Sequence, residues 1–281
     1  MDPAVARRMW MATEPIHAVV YFAPEAKAAF DLAGLKGFWM GYFAGRAAPM
    51  GPVPPEVVVA TFYNFHPTMV RRAIPDAWAL ASPDRVLEAR LEGAGAALER
   101  LTDGADLSGA VDLAGRAAES VDPVGRTLAA ANASLPWPDS DVLRVWHALT
   151  ILREHRGDGH VNALVSEGIG GLEAHVLLAA SGAVPAERLR GARGWSEEEW
   201  AVAEASLQER GWVDGSGAVT DAGRAARDNV ERRTDEVALA PWRVLGDDGC
   251  DRLAAALAPA LAALRANEAI AYPNPMGLPA A

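Results

Sequence analysis

Apolar side chains recur every three or four positions along most of this chain, which is the spacing of one face of an α-helix. The clearest example is the stretch 141–154, which follows Asp139 and Ser140, two candidate N-cap residues. Its apolar positions are Val142, Val145, Leu149 and Leu152. Only short stretches such as 57–63 favour a β-strand. The pattern therefore predicts a mainly α protein with more than the usual third of its residues in helices.

Proline and glycine divide the pattern into two parts. Asn132 to Asp141, with Pro136 and Pro138, has the composition of a linker. We therefore predict an N-terminal unit over residues 1–135 and a C-terminal unit over 139–281. In the first unit, the positions of proline and glycine predict a helix over 4–22 and a second helix from Pro24 to about 46. A Pro/Gly-rich stretch follows at 49–55, then a helical passage up to about 101 and a loop at 102–112.

The second unit has the order of elements found in a winged helix. The helix from Asp141 is expected to break at the glycine-containing stretch 155–160, and shorter helices follow. Ser196 and Glu199 have the spacing of a capping box, and Gly211 suits a helix end. The predicted elements after the break are helices at 161–166, 171–181, 185–190 and 196–210, a small hairpin at 212–220 and a long helix at 221–237.

Two short passages in this unit carry a family resemblance. Glu209-Arg210-Gly211-Trp212-Val213, followed by Val219-Thr220-Asp221-Ala222-Gly223-Arg224, resembles a passage of the MarR-type winged-helix regulators. This resemblance covers roughly residues 141–240. The whole chain also resembles a broad actinobacterial family that is labelled helix-turn-helix. Both resemblances imply a winged-helix fold and establish no activity.

A weak internal repeat extends the same interpretation to the first unit. His17-Ala18-Val19 aligns with His147-Ala148-Leu149, and Gly34-Leu35-Lys36-Gly37-Phe38 aligns with Gly168-Ile169-Gly170-Gly171-Leu172. If the repeat holds, two tandem MarR-like units form an intramolecular pseudo-dimer. His17 and His147 would then be symmetry mates at a central groove, where such proteins usually hold ligands.

Charge argues against DNA as the main partner. The formal net charge is -11, and the helix that would enter the major groove begins Ser196-Glu197-Glu198-Glu199, with three carboxylates in a row. The turn of the hairpin carries neither Arg nor Lys. A DNA-binding alternative would depend on the local basic residues Arg71, Arg72, Arg188, Arg190 and Arg193.

The stretch 155–160 is the strongest candidate for chemistry. His155 or His160 is a candidate general base, Asp158 could orient an imidazole, and Arg156 could clamp a carboxylate or stabilise an oxyanion. A structural alternative has equal weight, because glycines permit a turn and Asp158 can cap the following helix. The histidine spacing matches no standard zinc signature, so we predict no metal site.

Residues from the first unit could form the opposite wall of a pocket. The helical face with His17, Tyr21 and Glu25 is one part of it, and the aromatic run around residues 38–43 is another. Most of that run is expected in the core. The candidate ligand-binding residues are His17, Tyr21, Glu25, Trp39, Tyr42, Asn64, His66 and His147.

The leading hypothesis is a small-molecule-binding protein whose histidine-lined pocket lies between two winged-helix-like halves, with acid–base chemistry on a metabolite as its extension. A ligand-responsive MarR-like transcriptional regulator is the alternative, and an adaptor is the third hypothesis. No signal-like or membrane-spanning segment is evident, so we expect a cytoplasmic protein without a membrane partner. The sequence indicates no particular cofactor and no oligomeric state.

Overall fold

The computed structural model describes residues 1–278 and confirms a mainly α fold, with 72% helix. Positions 279–281, the end of the expected second unit, lie outside the described residues. The helices, numbered in chain order, are α1 Ala4–Phe22, α2 Pro24–Leu32, α3 Gly37–Ala47, α4 Pro55–Phe62, α5 Pro67–Ala73, α6 Asp76–Leu80, α7 Pro83–Leu101, α8 Ser108–Glu119, α9 Thr127–Ala133, α10 Asp141–Ser166, α11 Gly171–Ala180, α12 Ala186–Arg193, α13 Glu197–Glu209, α14 Asp221–Ala238, α15 Ala240–Arg243 and α16 Gly246–Ala266.

The central element is α10, which packs against α1, α7, α8, α9 and α14. Its Val145, Trp146 and Leu149 are buried in the largest apolar core, together with Met9 of α1 and Leu257 of α16. Burial of these side chains removes apolar surface from water and is the main force holding the helices together. This core joins residues from both sides of the expected boundary at 135–139, and the division into two units stays a prediction.

The expected break in α10 at residues 155–160 was wrong. The helix runs without interruption through Gly157 and Gly159 to Ser166. A Cβ at Gly159 would collide with Arg126 Nη1 and would lie 2.8 Å from Cγ2 of Val237. The glycine therefore allows two neighbouring side chains to approach the helix, and the resulting packing outweighs its unfavourable helix propensity.

The expected strand at 57–63 was also wrong, because α4 occupies Pro55–Phe62. Pro55 stands at the first helical position, where its fixed φ favours a helix and its missing N–H costs nothing. Val58 is fully buried in the second apolar core, so tertiary packing outweighs the β preference of the three valines. The expected loop at 102–112 is shorter than predicted, since α8 begins at Ser108.

From α11 to α14, the order of helices agrees with the sequence. The capping box of Ser196 and Glu199 begins α13, and Gly211 follows the helix with a positive φ of 70°. The hairpin is reduced to one bridge between Val213 and Val219, the only extended pairing within residues 1–278. Asp214 Oδ1 fixes its turn by accepting from the main-chain N–H groups of Ser216 and Ala218. Two tandem winged-helix units remain a prediction.

No single helix within residues 1–278 is long and apolar enough to cross a bilayer. Only α10 and α11 taken together have such a composition, and they are bent by 93° at their junction.

Candidate functional site

A cavity of about 550 Å³ lies where α1, α3, α10, α11 and α14 meet. Its aromatic lining residues are Trp10, Tyr21, Phe22, Phe38, Trp39, Tyr42, Phe62 and Phe65. Its ionisable residues other than tyrosine are Arg7, Glu14, Arg46, Arg153, Glu154, Arg156, Asp158, His160, His175, Arg193, Arg227 and Glu231. Six arginines thus face four carboxylates, although the whole chain carries a formal net charge of -11.

One wall of the cavity is a buried ion network centred on Glu154. Arg46 donates from Nε and Nη2 to the two carboxylate oxygens at 3.3 and 3.0 Å, and Arg153 Nη1 lies 2.9 Å from Oε1. Burial alone would raise the pKa of Glu154, but the charges of Arg153 and Arg46 lower it to about 2. Glu154 is therefore fully ionised, and its charge is shared by the two guanidinium groups.

Glu14 extends this network and is less well satisfied. Its Oε1 lies 3.5 Å from Arg153 Nε, while its Oε2 has no hydrogen-bond partner in the protein. Burial raises the pKa of Glu14, and the nearby charge of Glu154 adds to the effect against the opposing Arg153. The side chain is only 2% exposed, so its free oxygen is a polar atom directed at the interior.

A second charged cluster connects α1, α10 and α14. Arg7 pairs with Glu231 and Asp235, and Arg156 Nη2 lies 2.7 Å from Asp235 Oδ1. His160 Nδ1 is 3.0 Å from Thr234 Oγ1, and burial lowers the pKa of this histidine, so the ring is neutral at pH 7. Arg156 Nη1 is buried without a partner. The cluster thus keeps one donor unused.

The third polar wall consists of Arg193 at the end of α12 and His175 in α11. Within residues 1–278, Arg193 donates only to the carbonyl oxygens of Ala192 and Pro275, and no carboxylate of these residues pairs with it. Burial lowers the pKa of Arg193 to about 10. Burial and the charge of Arg193 lower the pKa of His175 to about 3. Neither Arg193 Nε nor His175 Nε2 has a hydrogen-bond partner in the part of the chain that the structure describes.

Residues 273–278, which we call the C-terminal strap, cover the cavity beside Arg193. Asn274 is 1% exposed, and its Oδ1 accepts from the main-chain N–H groups of Met276 and Leu278 at 3.2 Å each. Arg188 donates to the carbonyl oxygen of Pro273. The strap is therefore held both by its own turn and by arginines of α12.

The candidate catalytic residues do not converge on one point. Asp158, His160 and Arg156 line the cavity, whereas His155 lies outside the lining. Asp158 Oδ2 accepts from Ala129 N at 3.0 Å, so this carboxylate caps α9 and not the segment after it in the chain. Burial raises the pKa of Asp158 to about 6, and burial with the charge of Arg126 lowers that of His155 to about 4.

The candidate ligand-binding residues divide equally. Tyr21, Trp39, Tyr42 and Asn64 line the cavity, while His17, Glu25, His66 and His147 do not. The expectation that His17 and His147 meet in a central cavity was wrong, because both are packed between helices. His17 bonds Thr150 and Tyr21 at 2.9 Å each, and His147 packs edge-on against Trp137.

The other two residues outside the lining have structural contacts. Glu25 pairs with Arg100 at the surface. His66 Nε2 lies 2.9 Å from Glu199 Oε1, and the ring packs edge-on against Trp195. His66 thereby attaches the loop after α4 to the beginning of α13.

The basic residues of the DNA-binding alternative do not form one exposed patch. Arg71 pairs with Glu56, and Arg190 pairs with Glu197 at 2.8 Å. Arg188 is bonded to the strap, and Arg193 lines the cavity. Arg72 is exposed. Most of these guanidinium groups are thus engaged within the protein.

Sequence reasoning missed the residues that dominate the cavity: Glu14, Arg46, Arg153 and Glu154. An arginine is normally read as a surface residue, because it is rarely buried unless paired. One signal was present: Arg153 and Glu154 directly follow the apolar positions Leu149 and Leu152 and precede the stretch 155–160 with its two histidines. Arg46 similarly ends an aromatic run four residues after Tyr42, to which it donates at 3.2 Å.

Comparison with known families identifies the class of protein. The model of a helix-turn-helix family matches residues 6–271, nearly the whole chain, and the protein therefore belongs to this helix-turn-helix family. No curated protein and no solved structure matches the chain significantly. The MarR-like and actinobacterial assignments stay predictions. Within residues 1–278, no three His, Cys, Asp or Glu side chains are placed to hold a metal ion.

Proposed function

We propose that this protein binds a small molecule in the cavity between α1, α3, α10, α11 and α14. The observation that carries the proposal is the distribution of unsatisfied polar atoms. Six buried side-chain atoms within residues 1–278 lack a hydrogen-bond partner. Four of them belong to the cavity residues Glu14, Arg156, His175 and Arg193. Because buried polar groups are nearly always bonded, this concentration favours a bound polar molecule.

The size and composition of the cavity agree with this function. Its volume of about 550 Å³ lies within the range of small-molecule sites. Aromatic faces supply apolar contact, while a few polar groups can fix the orientation of a ligand. The proposed pocket differs from the one expected from sequence, since arginines and aromatic residues outnumber its two histidines, His160 and His175.

Acid–base chemistry would involve His160 more readily than His155. The Nδ1 atom of His160 is bonded to Thr234, and its lowered pKa keeps the ring neutral and able to accept a proton. His155 lies outside the cavity lining, so it cannot reach a molecule held there directly. For this reason, ligand binding has more structural support than enzymatic activity.

A blocked cavity tests the proposal. Gly157 faces the cavity, and a Cβ there would lie 3.7 Å from Glu154 Oε2, an ordinary contact. Gly157→Leu should therefore fold and fill part of the space. Gly115→Leu in α8 is the matched control, because nothing lies within 4 Å of a Cβ at that position.

The binding of 2-naphthoate, 2-naphthamide and 2-naphthylmethylamine is measured by calorimetry on the wild type and both variants. We expect at least one probe to bind the wild type and Gly115→Leu at a single site, and Gly157→Leu to weaken it by about tenfold or more, since the new side chain must be displaced. If Gly157→Leu leaves the affinity for the probe unchanged, or if no probe binds, the cavity is not the site.

Membership of a helix-turn-helix family favours a second candidate, a ligand-responsive DNA-binding regulator. Against it, α13 begins with Glu197, Glu198 and Glu199, and the loop bearing His66 packs against that end of the helix. Specific DNA binding relies on cations that neutralise phosphates. Fluorescence anisotropy can distinguish the DNA-binding regulator from a protein that binds only a small molecule. The DNA is the duplex upstream of the gene for this protein, at low and at physiological salt. Salt-sensitive, sequence-specific binding would support the regulator.

A further inference from the structure

We propose that the ligand is an organic anion, with its acidic group on Arg193 beside His175 and its apolar body against the neighbouring aromatic cluster. This inference rests on the proposed function and specifies the chemistry of the molecule bound there. It also assigns Arg193, a residue that the sequence associated with DNA, to the interior of the protein.

The charges of the cavity support an anion. Arg46 and Arg153 share Glu154, Arg7 and Arg156 share Asp235, and Arg7 also pairs with Glu231. Arg193 has no such partner among residues 1–278, although a guanidinium group remains charged at any physiological pH. Arg227, the sixth arginine of the cavity, also lacks an ion pair among these residues, but it is only partly buried and donates to Ser181 Oγ. An unpaired buried charge is costly, and a carboxylate or phosphate supplied by a ligand would remove that cost.

Two unsatisfied atoms make Arg193 a better anchor than the other arginines. Its Nε has a free N–H, and the unpaired Nε2 of His175 belongs to a residue that lines the same cavity. Arg90 also lacks a carboxylate, but it donates to Asn132 at 3.1 Å and packs on the ring of Trp146. None of the six unsatisfied buried atoms within residues 1–278 belongs to Arg90, so this residue gives no indication of a ligand.

The apolar body of the ligand has a defined place. The guanidinium of Arg193 lies 4.4 Å from the centre of the Phe65 ring. Phe65 contacts Trp39 and Tyr42 at ring separations of 5.9 and 5.4 Å. Each of these rings lines the cavity. Aromatic walls next to a cationic end suit a flat molecule with one acidic group.

The position of Arg193 also connects the ligand to the strap. Arg193 Nη2 donates to the carbonyl oxygen of Pro275 at 3.2 Å, so the same guanidinium holds the chain that covers the cavity. An acidic group at Nε would leave this bond in place, because the two nitrogen atoms are different. The bound molecule and the strap would then share one anchor at the end of α12.

Probes of one shape and different charge test the assignment. Calorimetry compares 2-naphthoate, 2-naphthyl phosphate, 2-naphthamide and 2-naphthylmethylamine on the wild type, Arg193→Met, Arg193→Lys and Arg188→Met. We expect 2-naphthoate to bind the wild type about tenfold or more tightly than the amide, because a hydrogen bond to a charged group contributes about 1.5–3 kcal/mol. The phosphate probe shows whether the anion is a carboxylate or a phosphate ester.

Arg193→Met should remove the preference for the anion while changing amide binding by about twofold or less, and Arg193→Lys should keep part of it. Arg188→Met is the matched control, since Arg188 lies on the same helix and also bonds the strap. It should keep the full preference. Equal binding of the acid and the amide by the wild type would overturn the anion assignment and leave the proposed function standing. A preference that survives Arg193→Met would overturn the assignment of Arg193.

Discussion

The Glu154 network and the Arg193 wall contain the same kinds of side chain in the same cavity, yet only the first is complete. Glu154 has two guanidinium partners within 3.3 Å. Within residues 1–278, Arg193 has only carbonyl oxygens as partners, and its Nε–H is unbonded. A buried charge with its counterions is costly to disturb, because removing one partner leaves the other charge buried and unpaired. A buried charge without them is strained by desolvation and becomes favourable only when a partner arrives, which is the property of a binding residue.

The largest effect is expected from breaking the complete network. Glu154→Gln removes the negative charge and leaves Arg46 and Arg153 buried without it. Breaking a buried ion pair typically costs about 3–5 kcal/mol of the free energy of unfolding. Chemical denaturation of the wild type and the variant at pH 7 measures the loss.

Glu25→Gln is the matched control for this prediction. It makes the same chemical change in an ion pair with Arg100 at the surface, where solvent screens the interaction. The control should lose much less stability than Glu154→Gln. Equal losses in the two variants would contradict a special structural role for the buried network.

A smaller effect is expected from the buried histidines, which are held neutral. Burial lowers the pKa of His147 and of His155 to about 4, and burial with the charge of Arg193 lowers that of His175 to about 3. Unfolded histidine has a pKa of about 6.5, so the unfolded chain binds more protons between pH 6.5 and 4. Stability should therefore be full above pH 6.5 and fall as the pH decreases.

Two carboxylates oppose this trend. Asp158, with its pKa raised to about 6, binds a proton in the folded state first and adds stability as the pH falls from 6 towards 4, and burial raises the pKa of Glu14 in the same sense. The buried histidines outnumber these carboxylates, since burial also lowers the pKa of His17 and His160. Denaturation from pH 8 to 5 should show His147→Leu and His175→Leu each reducing the pH dependence by up to about 1.4 kcal/mol per pH unit. Only His175→Leu should also alter ligand binding, and curves parallel to the wild type would refute the prediction.

The same contrast explains what the sequence could and could not predict. Local signals were sufficient for α1, for the Ser196–Glu199 capping box and for the end of α13 at Gly211. Each depends on residues close together in the chain. The helical class followed from the same kind of pattern, whereas the helix-turn-helix family followed from a resemblance of the whole chain.

Features that depend on distant partners were not predictable in this way. Gly159 looked like a helix break because the approach of Arg126 and Val237 is invisible in the local sequence. Arg46 meets Glu154 across 108 positions, so neither residue shows by itself that the other neutralises it. His17 and His147 were aligned by the repeat, but Thr150, Tyr21 and Trp137 already occupy their surroundings.

The smallest effect is the one that separates the two walls most clearly. Arg193→Met removes a buried charge that pairs with no carboxylate of residues 1–278 and replaces it with an apolar chain beside Phe65. Loss of the hydrogen bonds to Ala192 and Pro275 reduces stability, whereas removal of a charge that was desolvated by burial increases it. The free energy of unfolding without ligand should therefore change by about 1 kcal/mol or less, in either direction. Chemical denaturation of Arg193→Met and Glu154→Gln at pH 7 measures the difference in the free energy of unfolding. If Arg193→Met loses as much stability as Glu154→Gln, Arg193 is part of the structural framework. Its unpaired N–H would then not mark a ligand site.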